Sequence, residues 1–174
     1  MKRLFIILCA MLVVLGASAQ TKKAIVAYFS ATGTTEKVAK QLVGEAKAEL
    51  YAITPAKAYT SADLDWHNKQ SRSSVEMANE KSRPALKGKK DLSKYVVIYL
   101  GFPIWWGVAP RVVNTFIEQA KLNGKTVIPF ATSGSSTIDK AVSTLKSTYP
   151  SVKWQKGYLL NSPSKADITK VVKK

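Results

Sequence analysis

The feature that most limits the folds open to this chain is a repeated alternation. Short apolar runs rich in β-branched and aromatic residues are separated by stretches with helical spacing. Residues 24–29 (AIVAYF), 50–54, 95–100 (YVVIYL) and 126–131 (TVIPFA) read as strands, the longer ones apolar on both faces. Residues 154–160 alternate Trp154, Lys156, Tyr158 with Gln155, Gly157, a pattern for a sheet edge. Helical spacing covers 36–50 (Val38, Leu42, Ala46), 110–121 (Val112, Val113, Phe116, Ile117), 138–148 (Ile138, Ala141, Val142, Leu145) and 165–172. Pro110 suits a helix start and Asn123-Gly124 a helix end. Pro129 cannot donate to a ladder, so a bulge or a lost bond is expected there. The order β-α-β-insert-β-α-β-α-β-α predicts an α/β fold. Its expected form is a doubly wound, five-stranded parallel sheet with helices on both faces. Such sheets bind ligands in the crevice at the carboxyl ends of their strands. Attention therefore falls on the loops after Phe29, Leu100 and Ala131.

The chain has 174 residues, which argues for one domain, and 46% hydrophobic residues, which excludes a disordered polar chain. The beginning reads as a separate element. Met1-Lys2-Arg3 precedes an apolar run over 4–15, then Gly16-Ala17-Ser18-Ala19. That is the form of a secretory signal peptide over 1–19, leaving a single domain over 20–174. The run is shorter than the roughly 20 residues that span a bilayer. Export to the periplasm or the medium is expected, with no membrane span in the mature chain. Cys9 lies inside the leader and is the only cysteine, and His67 is the only histidine. Zinc sites built from several Cys and His, and a mature Cys/His catalytic pair, are excluded. Asp63, Asp65 and His67, with no second His, do not make a metal centre.

The charge is +16, from 27 basic and 11 acidic residues. Without Lys2 and Arg3 it is +14, from 25 and 11. A field of this sign attracts anionic partners without naming them. The lysines are scattered, and Lys87-Gly88-Lys89-Lys90 is the densest internal cluster. They read as solvated faces rather than a specific nucleic-acid site.

The three loops hold the least ordinary residues. Ser30-Ala31-Thr32-Gly33-Thr34-Thr35 offers hydroxyls and the amides of a helix start, a setting for a phosphate monoester without any Lys or Arg. It ends in neither Gly-Lys-Ser/Thr nor a G-x-G-x-x-G pattern, so NTPase and dinucleotide fingerprints are absent. A ligand-free helix cap is the other reading. The second loop, Gly101-Phe102-Pro103-Ile104-Trp105-Trp106-Gly107-Val108-Ala109-Pro110, sets rings between prolines, which suits a planar ligand. Core packing of Trp105 and Trp106 is the alternative. The third, Thr132-Ser133-Gly134-Ser135-Ser136-Thr137, is small and rich in donors, and reads also as a plain turn.

These residues resemble the flavodoxin family. The likeness is nearest to a bacterial branch with a G-x-P-I-W-W-G-x-x-P stretch, here Gly101, Pro103, Ile104, Trp105, Trp106, Gly107 and Pro110. It extends over residues 23–174. The resemblance implies a strand order of 2-1-3-4-5 and a non-covalent FMN. It implies that Ser30, Thr32, Gly33, Thr34 and Thr35 hold the phosphate. Pro103, Ile104, Trp105, Trp106 and Gly107 would lie along the flavin ring, and Thr132, Ser133 and Gly134 would border its pyrimidine side or the ribityl chain. The implied function is electron transfer or a small flavin oxidoreductase. The implied partner is a redox protein or a small-molecule electron acceptor of anionic character. Two alternatives stand beside it. One is an NAD(P)H-dependent FMN or quinone reductase, the other a non-enzymatic binding module with a basic surface that has lost flavin. The chain departs from the family in two respects. Electron-carrier flavodoxins are typically acidic and this chain is basic. The segment 55–93 exceeds the usual strand–helix–strand connection. It holds Tyr59, Trp66, His67, Arg72, Met77 and Arg83, and reads as a surface excursion around a helix or as a flap over the flavin.

Overall fold

The computed structural model describes residues 23–173. The leader expected over 1–19 lies outside the described residues. The elements run β1 (Ala24–Tyr28), α1 (Thr34–Ala46), β2 (Glu49–Ala52), a short 3-10 turn (Ala62–Leu64), α2 (Arg72–Ala78), β3 (Val97–Pro103), α3 (Arg111–Ala120), β4 (Thr126–Thr132), α4 (Asp139–Thr148), β5 (Lys153–Trp154), β6 (Tyr158–Leu159) and α5 (Lys165–Val172). The strands pair in parallel in the order β2-β1-β3-β4-β5, and β6 also pairs with β4.

Alternate residues of a strand face opposite sides, and both sides are covered. Ile25, Ala27 and Phe29 join Ile98, Leu100 and Phe102 in packing against Val112, Val113 and Phe116 of α3 and Ala141 and Leu145 of α4. Val26, Tyr28, Tyr99, Ile128 and Phe130 pack against Val38, Ala39 and Leu42 of α1 and Ile168 and Val171 of α5. Gly101 is the one point where β3 and β4 need a missing side chain. It pairs with Phe130, and a Cβ there would stand 2.2 Å from the end of that ring.

Most element ends fall within two residues of expectation, and three differences matter. The strand expected over 95–100 begins at Val97 and runs on to Pro103, because Gly101, Phe102 and Pro103 continue the ladder opposite Phe130, Ala131 and Thr132. Tyr95 instead closes a turn onto the Leu92 carbonyl and donates its hydroxyl to Glu49. Helix α1 starts two residues early, at Thr34, and ends at Ala46, where Lys47 takes a left-handed conformation (φ 47°).

The third difference is the fifth strand, expected as one piece over 154–160. Two short strands, β5 and β6, stand in its place. Pro129 is the cause. The β3–β4 ladder passes through Leu100↔Pro129 without a break. The outer side behaves differently. The carbonyls of Val127 and Ala131 accept from Gln155 and Leu160 N–H, both at 2.8 Å. Pro129 is in phase with these two residues, so its missing N–H also faces outward. Opposite it, residues 155–157 loop out against 128–129, and the bulge lands in the neighbouring strand.

The insert over 55–93 is tied to the body. Pro55 pairs with Leu86 in an antiparallel bridge, with Ala56 N–H donating to Ala85 and Lys87 N–H to Thr54. The buried Arg111 guanidinium donates to the Met77 carbonyl at 2.9 Å, and Arg83 pairs with Glu118 of α3 at 2.8 Å. Burial holds the Arg111 pKa below its ordinary value. No helix among the described residues is long and apolar enough to cross a membrane.

Candidate functional site

The parallel register brings the carboxyl ends of β1, β3 and β4 to one edge. Phe29 N–H donates to the Gly101 carbonyl and Ile104 N–H to that of Thr132, both at 2.9 Å, which fixes the three loops side by side. Between them lies a cleft of about 890 Å³, within the range of roughly 300–1,000 Å³ typical of small-molecule sites.

One end of the cleft is made of hydroxyls and amides. Ser30, Thr32, Thr34 and Thr35 of the first loop line it, with Thr132, Ser133 and Gly134 of the third. Gly33 is the one expected site residue that does not line the cleft. Its part is conformational: at φ 87° it turns the chain into α1, and its N–H is held by Ser30 Oγ at 3.1 Å. No side chain among the described residues caps α1, so the amides of its first turn face the loop. Thr35 is buried, and its hydroxyl meets that of Thr132 at 2.8 Å, joining the two polar loops. In the third loop Ser133 Oγ accepts from the amides of Ser135 (3.3 Å) and Ser136 (2.8 Å), while Asn161 Oδ1 accepts from Ser133 N–H at 2.8 Å.

The other end is made of rings. Trp105 and Val108 exchange two 3.0 Å backbone bonds around Trp106-Gly107, forming a two-residue hairpin. Both central residues have positive φ, 49° and 80°. Such turns favour Asn-Gly, so a tryptophan at the first position holds strain, on the order of 1–2 kcal/mol. The two indoles separate in role. Trp105 is half-buried, edge-on to Phe29 at 5.6 Å and to Tyr59 at 5.3 Å. Trp106 is 48% exposed and faces the cleft. Pro103, Ile104 and Gly107 complete this wall. Behind it, Arg72 stacks over the Tyr59 ring at 4.0 Å and pairs with Glu76 at 2.6 Å, and the Tyr59 hydroxyl donates to the same carboxylate. Burial, then the Glu76 hydrogen bond, push the Tyr59 pKa far up, so the phenol stays a donor.

Lining residues outside the expected set are Ala31, Ser135 and Ser136, Asn161 after β6, and Leu64, Trp66 and Ser73 from the insert, the segment read as an excursion or a flap. Ser135 and Ser136 continue a loop already singled out. Asn161 carries no local signal. Leu64, Trp66 and Ser73 reach the cleft only because the insert folds back. Of all the lining residues, none is acidic or basic. The protein offers no general acid, base or nucleophilic thiol here. It offers donors, flat apolar surface and shape.

A family model described as flavodoxin matches residues 23–174. Among solved structures, the chain is similar to a candidate flavoprotein from Bacteroides uniformis, at 56% identity over 88% of this chain and 99% of that one, with a TM-score of 0.85. A candidate flavoprotein from Bacteroides eggerthii is 54% identical over 85% and 94% of the two chains, with a TM-score of 0.83. A flavoprotein from Lactobacillus acidophilus, solved in complex with FMN, shares the fold at 24% identity over 79% and 92%, with a TM-score of 0.67. No curated protein matches the chain. With the strand order, the three loops at one edge and a family match over nearly the whole described chain, this protein belongs to the flavodoxin family.

Proposed function

We propose that this chain is an exported, FMN-binding redox protein that transfers electrons or acts as a small flavin oxidoreductase. The observation that carries the reading is the cleft itself: a lining without a single charged side chain, donor-rich at one end and indole-walled at the other.

The donor set fits the group. The uncapped start of α1 and the hydroxyls of Ser30, Thr32 and Thr34 suit a phosphate dianion; the one carboxylate of that first turn, Glu36, does not line the cleft and pairs with Lys40 at 2.6 Å. Trp106, held by a rigid hairpin, suits a flat ring system. Thr132, Ser133 and Gly134 border the space between. When bound, FMN would supply one- and two-electron chemistry that these side chains cannot perform. The residues of the chain have the remaining tasks. Thr35 and Thr132 lock the two polar loops in register. The hairpin limits water on the ring side. The Trp105, Phe29 and Tyr59 cluster holds that hairpin still. The net positive charge favours a reduced, anionic flavin, so the midpoint potential of the reduced couple should lie above that of acidic relatives.

Calorimetry with FMN and riboflavin tests the reading. Two or more charge-assisted hydrogen bonds to the phosphate predict FMN affinity on the order of a thousandfold above that of riboflavin. No heat with FMN in a folded sample overturns the proposal. Export is tested by sequencing the mature N-terminus, expected at Gln20.

A further inference from the structure

The strands of the parallel sheet begin at the edge opposite the cleft, and lysines gather at those beginnings. Lys23 precedes β1, Lys125 precedes β4, Lys153 opens β5, and Lys47 lies just before β2. Backbone bonds set them side by side. The Lys23 carbonyl accepts from Val96 N–H at 3.0 Å, the Val96 carbonyl from Thr126 N–H at 3.2 Å, and the Lys125 carbonyl from Lys153 N–H at 3.0 Å. The pairing Ile25↔Glu49 puts Lys47 on the other flank of Lys23. At about 4.8 Å per strand, the row Lys47, Lys23, Val96, Lys125, Lys153 spans roughly 20 Å. Lys23, Lys47 and Lys153 are exposed, and none of the three is in an ion pair among the described residues.

Charge is sorted between the two edges. The helices that connect parallel strands run back against them, so their first turns lie at the cleft edge. Glu36, Asp139 and Asp167 stand there, in the first turns of α1, α4 and α5. The helix ends return to the lysine edge, where Lys47, Lys121 and Lys173 follow α1, α3 and α5. A lysine at a helix end complements the helix dipole, which accounts for those three. It does not account for Lys23, Lys125 and Lys153, which stand at strand starts. Two carboxylates close to the row in sequence are already engaged. Glu49 accepts from Lys94 Nζ at 2.9 Å and from the Tyr95 hydroxyl, and Asp91 from the Ser93 N–H and hydroxyl at 2.8 and 2.9 Å. In the middle of the row, Val96 is an aliphatic side chain left 47% exposed.

We propose that this edge is a docking surface for an anionic phospholipid membrane. The lysines meet headgroup phosphates, and Val96 enters the boundary between headgroups and acyl chains. The row itself selects lipid over nucleic acid. An exposed aliphatic side chain gains from an apolar boundary and gains nothing from a phosphodiester chain. No exposed ring stands in the row for bases to stack on, since Tyr95 beside it is buried. Its cations are all lysines, compact point charges without the fork with which arginine reads bases. Docked in this way, the protein turns its cleft, at the opposite edge, away from the lipid and toward soluble partners. The surface does not depend on what the cleft holds.

The test is co-sedimentation of the protein, purified after export, with vesicles of phosphatidylcholine alone or with about 30% phosphatidylglycerol. Binding is expected to the anionic vesicles and not to the neutral ones, and should fall as salt rises from about 0.05 to about 0.5 M. Lys23→Gln, Lys47→Gln and Lys153→Gln together should weaken it about a hundredfold, roughly fivefold per lysine. If the triple variant does not fold, the three single variants carry the test at that fivefold each. Val96→Ser should weaken binding about threefold and leave its salt dependence unchanged. Lys37→Gln, Lys140→Gln and Lys165→Gln together remove the same charge from helix starts at the cleft edge, about 20 Å away, and should change binding less than about twofold. Equal loss in the two triple variants overturns the surface, reducing it to net charge. Absence of vesicle binding, or equal binding to neutral and anionic vesicles, overturns it as well. Duplex DNA binding that the row substitutions abolish while vesicle binding stands would assign the row to nucleic acid and overturn the lipid partner.

Discussion

The two ends of the cleft are built by different means. The hydroxyl end is local: short loops leave β1 and β4, expose helix-start amides and join through one buried pair, Thr35 and Thr132. The indole end is assembled from afar. Trp105 leans on Phe29 of the segment after β1 and on Tyr59 of the insert, and Tyr59 is held in turn by Arg72 and Glu76 of α2. The first end depends on hydrogen-bond geometry, the second on packing. The difference teaches that a donor-rich end can be written in short runs of neighbouring residues, whereas a ring-walled end needs a scaffold.

Substitutions at the two ends should therefore fail differently. Trp105→Ala removes the keystone of the packed end and is expected to cost about 3 kcal/mol in urea unfolding. A loss below about 1 kcal/mol would erase the contrast. Thr35→Val leaves the buried Thr132 hydroxyl without its partner and should cost about 2 kcal/mol. Replacing both threonines with valine should recover part of that, since two apolar groups leave nothing unsatisfied, while FMN binding stays weakened. Trp106→Asn is expected to have the opposite sign. Asn tolerates the left-handed backbone of the hairpin, so stability should rise by about 1 kcal/mol while riboflavin binding weakens. Loss of both would place Trp106 in the structural scaffold.

The smallest effect lies away from the cleft and serves as a control. Glu49 of β2 accepts from the Tyr95 hydroxyl and from Lys94 Nζ (2.9 Å), and these bonds, the Tyr95 one first, lower its pKa from 4.5 to about 2. A carboxyl depressed in this way contributes its full stabilisation above pH 4.5 and loses it as pH falls toward about 2. Urea midpoints should decline over that window in the wild type and less so in Glu49→Gln. FMN affinity measured above the window should be the same in both.

The sheet was legible because buried parallel strands are continuous apolar runs, and the span expected for α5, 165–172, is the one observed, its start held locally by the Ser164–Asp167 capping box. The hydroxyl end was legible for the same reason, since its determinants are neighbours in sequence. The insert wall was not. Tyr59 and Trp66 have meaning only once Arg72, Arg83 and Arg111 fold the segment back, contacts made across as many as 35 residues of chain. Asn161 reaches Ser133 because β6 returns beside β4, and no periodicity announces that. The start of β3 was misplaced because Tyr95 and Val96 share the apolar character of a strand while the backbone there is still turning.

The break opposite Pro129 has a consequence for the molecule among its neighbours. Templated growth of fibrils needs an uninterrupted row of amide donors and carbonyl acceptors along an outer strand. On that flank an approaching chain meets two dipeptide rungs set out of step by a three-residue kink. One imino acid in the fourth strand thus denies seeding contacts along the fifth, beside the charges that Lys153 and Lys156 place on the same edge.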